Sequence, residues 1–346
     1  MRLNKNNKYY QEDLDYILSV EGIDSLRGRS VLISGATGMV GLCLIDALMR
    51  FNENSNAGIV IYAVGRDKDR ASSRLGEYYS NTLFNFIEQD VRKPFPEELR
   101  VDYIIPLASN THPLAYSKYP VETVEINVKG AEHALKKAVQ CGAAVLYPST
   151  VEVYGNGEVQ FDENYTGKLN LATSRACYTE SKRVCEALCQ SFIEEYGVDC
   201  KIVRLSRLFG PTMLESDTKA SSQFILKALA NEDIVLKSKG DQFFSYTYVA
   251  DAVQAILFVL LNGERGQAYN IACDNCNVHL ATFAKECAAL ANKSVVFDLP
   301  SDVEAKGYSV ATKAVLSTTK LSSLGWTADR TFKEAVYRTY NILSYQ

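Results

Sequence analysis

Two side chains four residues apart carry the first sign of chemistry. Tyr178 and Lys182 lie in the stretch Arg175-Ala176-Cys177-Tyr178-Thr179-Glu180-Ser181-Lys182-Arg183, and on a helix they share one face. A free phenol titrates near pH ~10, too high for a base at neutral pH, and a nearby ammonium favours the phenolate. Lys182 is therefore expected to lower the Tyr178 pKa. Upstream, an apolar strand over residues 143–147 runs into Pro148-Ser149-Thr150-Val151-Glu152-Val153-Tyr154-Gly155. Thr150, at that strand end, could hydrogen-bond the same substrate oxygen as Tyr178. The trio suits carbinol–carbonyl interconversion with a nicotinamide exchanging the hydride. Tyr-x-x-x-Lys alone equally describes a solvated helix face, so this reading needs a cofactor site elsewhere in the chain.

That site is Val31-Leu32-Ile33-Ser34-Gly35-Ala36-Thr37-Gly38-Met39-Val40-Gly41, a buried strand, a glycine-rich turn and the start of a helix. Gly35 allows the tight turn, Gly38 lets a phosphate approach bare backbone, and Gly41 lets the helix pack on its strand. Thr37, Met39 and Val40 complete the cradle, and free N–H groups at the helix N-terminus suit a pyrophosphate. The next strand, 59–64, ends in Gly65-Arg66-Asp67. Arg66 could grip a 2′-phosphate, which favours NADP(H) over NAD(H); alternatively Arg66 stacks on adenine and Asp67 contacts the ribose. Asp90, followed by Val91, could accept from the adenine amino group. A strand over 101–107 ends in Leu107-Ala108-Ser109, whose small residues leave room for the cofactor.

These motifs require strands alternating with helices. The chain supplies them, with helical spacing from Pro120 to a stop at Gly142, which implies βαβ units and a parallel sheet. The expected fold is α/β, a Rossmann doubly wound parallel sheet with a smaller mixed α/β C-terminal substrate lobe. We place a helical N-terminal extension at 1–28, the NAD(P)-binding domain at 29–208 and the lobe at 209–346, with segments interleaving near the sheet. Tyr10, Leu14, Ile17 and Leu18 fall at helical spacing, so the extension packs on the sheet's outside or joins a subunit contact.

Composition narrows the class. A chain of 346 residues with 47% hydrophobic residues can bury a substantial core. A net charge of -4 and the lack of a long basic run argue against a nucleic-acid partner. No apolar run reaches membrane-spanning length, and the polar N-terminus lacks a signal-peptide core, so a cytoplasmic location is expected. The nine scattered cysteines read as reduced thiols, and Cys273 and Cys276, a single C-x-x-C, do not make a metal site.

From about Arg29 onward the chain resembles the extended short-chain dehydrogenase/reductases of the NAD-dependent epimerase/dehydratase family. The glycine turn, Asp90-Val91, Leu107-Ala108-Ser109, Asn127, the segment 149–155, Tyr178/Lys182, Phe209-Gly210-Pro211, Tyr248-Val249-Ala250-Asp251 and Leu324-Gly325-Trp326 carry the resemblance. It implies a nucleotide-sugar substrate, hydride transfer at a carbinol or carbonyl carbon in the synthesis of surface polysaccharide precursors, Thr150, Tyr178 and Lys182 as catalytic triad, Asn127 at the cofactor, and a homodimer built on the Tyr178–Lys182 helix. Arg175-Ala176-Cys177-Tyr178 and Glu152 are similar to the UDP-glucuronate decarboxylase branch. Dehydratases have an Asp–Glu pair where this chain has Val151-Glu152, which argues against dehydration. Glu152 is a candidate base or a structural carboxylate. Ser149, Arg175, Ser222 and Phe224 are candidate substrate contacts, with core packing an equal reading for Phe224. Two positions depart from the family pattern: Arg207 replaces an Asn three residues before Gly210, and Phe244 replaces an Arg seven residues before Asp251. We expect Arg207 to take over the diphosphate, beside Phe244 and Tyr246. Two reactions fit: internal redox with retained cofactor, giving epimerisation or decarboxylation, and net NADPH-dependent reduction of a nucleotide-linked keto-sugar or ketose.

Overall fold

A computed structural model describes residues 3–111, 113–157, 159–298 and 312–344. In chain order its strands are β1 (Ser30–Ser34), β2 (Val60–Gly65), β3 (Phe84–Glu88), β4 (Tyr103–Pro106), β5 (Ala144–Thr150), β6 (Gln160–Phe161) and β7 (Cys200–Leu205), followed by β8 (Arg207–Phe209), β9 (Ile234–Leu236), β10 (Phe243–Tyr248), β11 (Ala268–Ile271), β12 (Asn277–His279), β13 (Val295–Phe297) and β14 (Lys313–Leu316). The helices are α1 (Lys8–Leu18), α2 (Met39–Ser55), α3 (Lys68–Leu75), α4 (Pro113–Lys118), α5 (Pro120–Cys141), α6 (Ala176–Tyr196), α7 (Ala220–Leu229), α8 (Val249–Asn262), α9 (Leu280–Leu290), α10 (Thr319–Ser323) and α11 (Phe332–Ser344).

Strand β1 is buried on both faces at Val31, Leu32 and Ile33, as a central parallel strand must be. Parallel strands form the large sheet in the order β3-β2-β1-β4-β5-β7-β11. The winding reverses between β1 and β4, and that reversal opens a crevice at the carboxyl ends of the strands. Pro at the first turn of α5 and left-handed Gly142 at its end bound that helix as the sequence predicts. Helices α5 and α6 pack side by side, and α6 lies on β5, so Tyr178 and Lys182 face the end of the strand that delivers Thr150.

The smaller sheet runs β12-β10-β14-β6, with β8 alongside β10. The division expected at residue 208 is crossed in both directions. Strand β11 and the apolar helix α8 belong with the large sheet, whereas β6 joins the small one. Buried aromatics Phe209, Tyr246, Phe283 and Phe332 pack edge to face beneath the lobe.

Helix α1 settles against α2, α8 and α11, burying Tyr10, Leu14 and Ile17. It also buries a carboxylate. Asp13 accepts from Tyr248 and, at 2.9 Å, from Nε of Arg338 on α11. Burial pushes the Asp13 pKa up to about 6 against the opposing pull of Arg338. The segment before β1 is thus tied to the end of β10 and to the last helix, α11.

One expectation about the cysteines needs correction. Cys273 and Cys276 are joined as a disulfide at the end of β11, whereas the other seven are free thiols. The two residues flank a tight turn, and that turn brings their side chains together. Among the described residues no His, Cys, Asp and Glu cluster could hold a metal ion, and no helix is long and apolar enough to cross a membrane.

Candidate active site

The cofactor cradle is built by what the glycines lack. Gly35 has φ +68°, and a Cβ there would sit 2.7 Å from the Ala108 backbone nitrogen. A Cβ on Gly41 would sit 2.5 Å from the Gly35 carbonyl oxygen. Both glycines are therefore required by packing of backbone on backbone. Gly38 is different, because a Cβ there meets only the Gly35 carbonyl oxygen at 3.2 Å. It caps α2 without a side chain of its own, and the first amides of that helix, Met39, Val40 and Gly41, have no intrahelical acceptor. Bare backbone, unpaired N–H groups and the positive end of a 17-residue helix fit a dinucleotide pyrophosphate. Thr37 lies in the turn, and the Met39 carbonyl accepts from Thr212 at 2.8 Å.

The other expected cofactor residues line the same crevice with their own partners. Leu107 and Ala108 follow β4, with the Ala108 N–H donating to the Ser34 hydroxyl at 3.3 Å. Ser109 donates to Asn127 at 2.7 Å, and Asn127 donates to Ser181 at 2.8 Å. This relay ties the β4 end to the helix that carries Lys182. Beside it, a cavity with room for about one water is lined by Asn127, Tyr147 and Lys182. Val91 is buried against Gly130. Asp90 does not present a free carboxylate. The Arg92 guanidinium holds it through Nη2 at 2.6 Å, and this hydrogen bonding lowers the Asp90 pKa. Arg66 is likewise engaged, in an ion pair with Glu122 at the start of α5.

At the reactive end, Thr150, Tyr178 and Lys182 are all buried. A hydrogen bond from Thr150 favours the phenolate, yet burial and the Glu152 charge together raise the Tyr178 pKa well above its ordinary value. The expectation that Lys182 lowers it is not met in this arrangement. The Lys182 ammonium donates to the Pro148 carbonyl at 2.8 Å and lies over the Tyr147 ring, and burial pushes its own pKa down. Desolvation is the largest influence on the phenol, the Glu152 charge adds to it, and the hydrogen bond from Thr150 opposes both.

Glu152 sits one turn from Thr150, on the 3-10 turn that Thr150 caps through the Glu152 N–H at 3.3 Å. Its carboxylate meets Nη2 of Arg175 and the hydroxyl of Thr179, both at 3.4 Å. Tyr116, on α4, is a residue the sequence reading missed. Its ring stacks on Tyr178 with centroids 5.3 Å apart, and the Arg175 guanidinium lies 5.4 Å from its centre. Burial raises the Tyr116 pKa to about 12. The only hint was its place on a short helix between Pro113 and Pro120, directly after the small residues at the β4 end.

Several expected substrate contacts separate into distinct roles. Ser149 donates its hydroxyl to Glu186, which Arg204 holds at 2.7 Å, so it belongs to an interior network. Phe224 is buried against Phe283, which favours core packing. Ser222 is fully buried and its hydroxyl has no partner among the described residues. Tyr246 is buried beside Arg207, with its pKa pushed up to about 12 by burial. Arg207 lies over the Phe244 ring, 3.5 Å from its centroid.

Comparison with known proteins agrees with this geometry. The model of the NAD dependent epimerase/dehydratase family matches residues 31–272. UDP-glucuronic acid decarboxylase 6 of Arabidopsis thaliana is 31% identical over 268 residues, covering 77% of this chain and 71% of the relative. UDP-glucuronic acid decarboxylase 1 of Xenopus tropicalis is 33% identical over 244 residues, 70% of this chain and 56% of that protein. In fold, UDP-glucuronic acid 4-epimerase from Bacillus cereus, solved with UDP-glucuronic acid and NAD, superposes with a TM-score of 0.78 at 18% identity, covering 91% of this chain and 98% of the other. With the matched region spanning the glycine turn, Thr150, Tyr178 and Lys182, the chain belongs to the NAD dependent epimerase/dehydratase family of NAD-linked, extended short-chain dehydrogenase-type enzymes.

Proposed function

We propose that this enzyme oxidises one ring hydroxyl of a nucleotide-linked sugar and returns the hydride to the same sugar skeleton before product leaves. The observation that carries this reading is the convergence of buried Thr150, Tyr178 and Lys182 at the mouth of the glycine-turn crevice. The glycine turn and the first amides of α2 would hold NAD, which would supply the hydride acceptor and, once reduced, the donor. Thr150 holds the reacting oxygen, and Tyr178 takes its proton and gives it back. Lys182, fixed by the Pro148 carbonyl, keeps positive charge near the phenol as it ionises. Burial favours the neutral form of Tyr178, and the positive nicotinamide of bound NAD would favour its ionisation. Glu152 adds a carboxylate for a proton step on the oxidised sugar. The names of the decarboxylase relatives support a reaction in which the keto-sugar is an intermediate. The Arg66–Glu122 pair weighs against net NADPH chemistry, because the cation suited to a 2′-phosphate already has an anion.

The test is turnover without added cofactor. Purified enzyme is assayed for bound nucleotide after denaturation, then incubated with a panel of UDP-, CDP- and dTDP-sugars. The expected result is bound NAD and sugar conversion with no net NADH. Tyr178→Phe should lower turnover by at least ~100-fold and leave nucleotide-sugar binding intact. Stoichiometric consumption of NADPH would overturn the reading.

A further inference from the structure

Half-buried Arg207 has one shielded nitrogen without a hydrogen-bond partner among the described residues. It stands on β8, which pairs with β10 so that Arg207 lies opposite Tyr246 and diagonal to Phe244. The guanidinium is seated on the Phe244 ring at 3.5 Å, and its Nη1 is shielded from solvent with no hydrogen-bond acceptor among the described residues. A buried guanidinium without an acceptor is costly, and an aromatic face offsets only part of that cost. The groups facing it are Tyr246, Glu152, Tyr116 and Arg175. Glu152 is the one carboxylate among them, and it bonds to Arg175 and Thr179. Tyr116 in turn lies on Tyr178. The unsatisfied Nη1 therefore lies near the reactive end of the crevice, where a ligand oxygen would satisfy it.

We propose that Arg207, seated on Phe244, binds an anionic oxygen group of the substrate, either the carboxylate of a nucleotide-linked uronic acid or the diphosphate. This rests on the nucleotide-sugar reading above. A planar fork of donors suits both groups, since each offers two oxygens at matching spacing. Phe244 fixes the plane of the fork and closes one side to water. On the carboxylate, Arg207 separates uronic acids from neutral sugars; on the diphosphate, it anchors every nucleotide sugar alike.

The experiment is titration calorimetry at saturating NAD with UDP, UDP-glucose and UDP-glucuronic acid, on wild type, Arg207→Gln, Arg207→Lys and the double variant Arg207→Gln/Phe244→Arg. Arg207→Gln should weaken binding at least tenfold. Arg207→Lys should recover part of the loss, because it restores charge without the fork. The double variant should recover more than Arg207→Gln alone, since position 244 reaches the same space. A loss shared equally by all three ligands assigns the diphosphate, and a loss confined to UDP-glucuronic acid assigns the carboxylate. The proposal falls if Arg207→Gln binds all three within twofold of wild type, or if NAD affinity and thermal stability fall in step with ligand affinity. If wild type binds none of the three and none of their CDP and dTDP counterparts, the nucleotide-sugar reading falls and takes this one with it.

Discussion

Replacing Gly35 and Gly38 in turn by alanine should separate folding from cofactor binding. At Gly35, φ +68° is a left-handed conformation, and a Cβ would press on the Ala108 nitrogen at 2.7 Å and the Leu107 carbonyl carbon at 2.8 Å. The left-handed backbone costs about 1–2 kcal/mol for alanine, and overpacking against rigid backbone about 1–3 kcal/mol more. The sum is about 2–5 kcal/mol. Unfolding entropy of about 2.1 cal/mol/K per residue makes each kcal/mol worth about 1.4 °C in a chain of this length, so Tm should drop by about 3–7 °C. At Gly38, φ -78° and ψ 177° are open to any residue. Its one close neighbour, the Gly35 carbonyl oxygen at 3.2 Å, asks for a shift of a few tenths of an ångström. Apo stability should change by no more than about 0.5 kcal/mol, under 1 °C. The methyl group would nonetheless stand where the pyrophosphate meets the amides of α2, so NAD affinity should fall at least tenfold. Differential scanning fluorimetry on nucleotide-free protein reads the first effect, and calorimetric titration with NAD reads the second. Gly38→Ala binding NAD within twofold of wild type would refute this placement of the pyrophosphate. Equal losses of stability in both variants would refute the steric argument.

Three further outcomes follow from the same geometry. Thr150→Val keeps shape and removes the hydroxyl, and kcat should fall by roughly 10–100-fold with KM changed far less, read by steady-state kinetics. Arg66→Ala frees Glu122 and should move NAD affinity less than threefold, with NADP affinity unimproved; a large loss of NADP binding specifically would restore the 2′-phosphate role. Asp13 sets a pH-dependent stability term. Its folded pKa of about 6 lies above the ordinary 3.8, so its contribution is fully present below pH 4 and is lost as pH rises from about 4 to 6. That rise corresponds to about 3 kcal/mol. The stability difference between wild type and Asp13→Asn, from urea unfolding at pH 4 and pH 7, should shift by about that amount in favour of wild type at the acidic end; a pH-independent difference would contradict it.

What was legible in the sequence was local. The glycine turn, the Tyr178–Lys182 spacing and the Thr150 strand end each lie within one element and its flanks, where period and steric need fix the outcome. Pairings across distant segments were invisible. Nothing in Gly65-Arg66-Asp67 announces Glu122, nor does Asp90-Val91-Arg92 reveal that the arginine folds back on the aspartate. Ser149 looked like a site residue because it adjoins Thr150, but the network through Glu186 and Arg204 lies on elements far along the chain. Lys182 raises a different issue: its spacing from Tyr178 was read correctly, while its effect on the phenol depends on burial that spacing does not encode.

Arg207 and Phe244 sharpen that distinction. As sequence, they are two departures 37 positions apart with no stated relation. The register of β8 against β10 turns them into one unit, a cation laid on a ring. A change at either position alone would be damaging: an arginine at 207 facing a second arginine at 244 would crowd two cations, and an Asn at 207 beside Phe244 would leave this wall without a guanidinium. Only the joint change preserves one guanidinium at this wall while moving its anchor from one strand to the next. The guanidinium then lies opposite Tyr246 with Glu152, Tyr116 and Arg175 nearby, and on the proposed reading the substrate's charge is met from β8. Substrate choice in this enzyme should therefore follow the pair, and single-site comparison at either position will misjudge it.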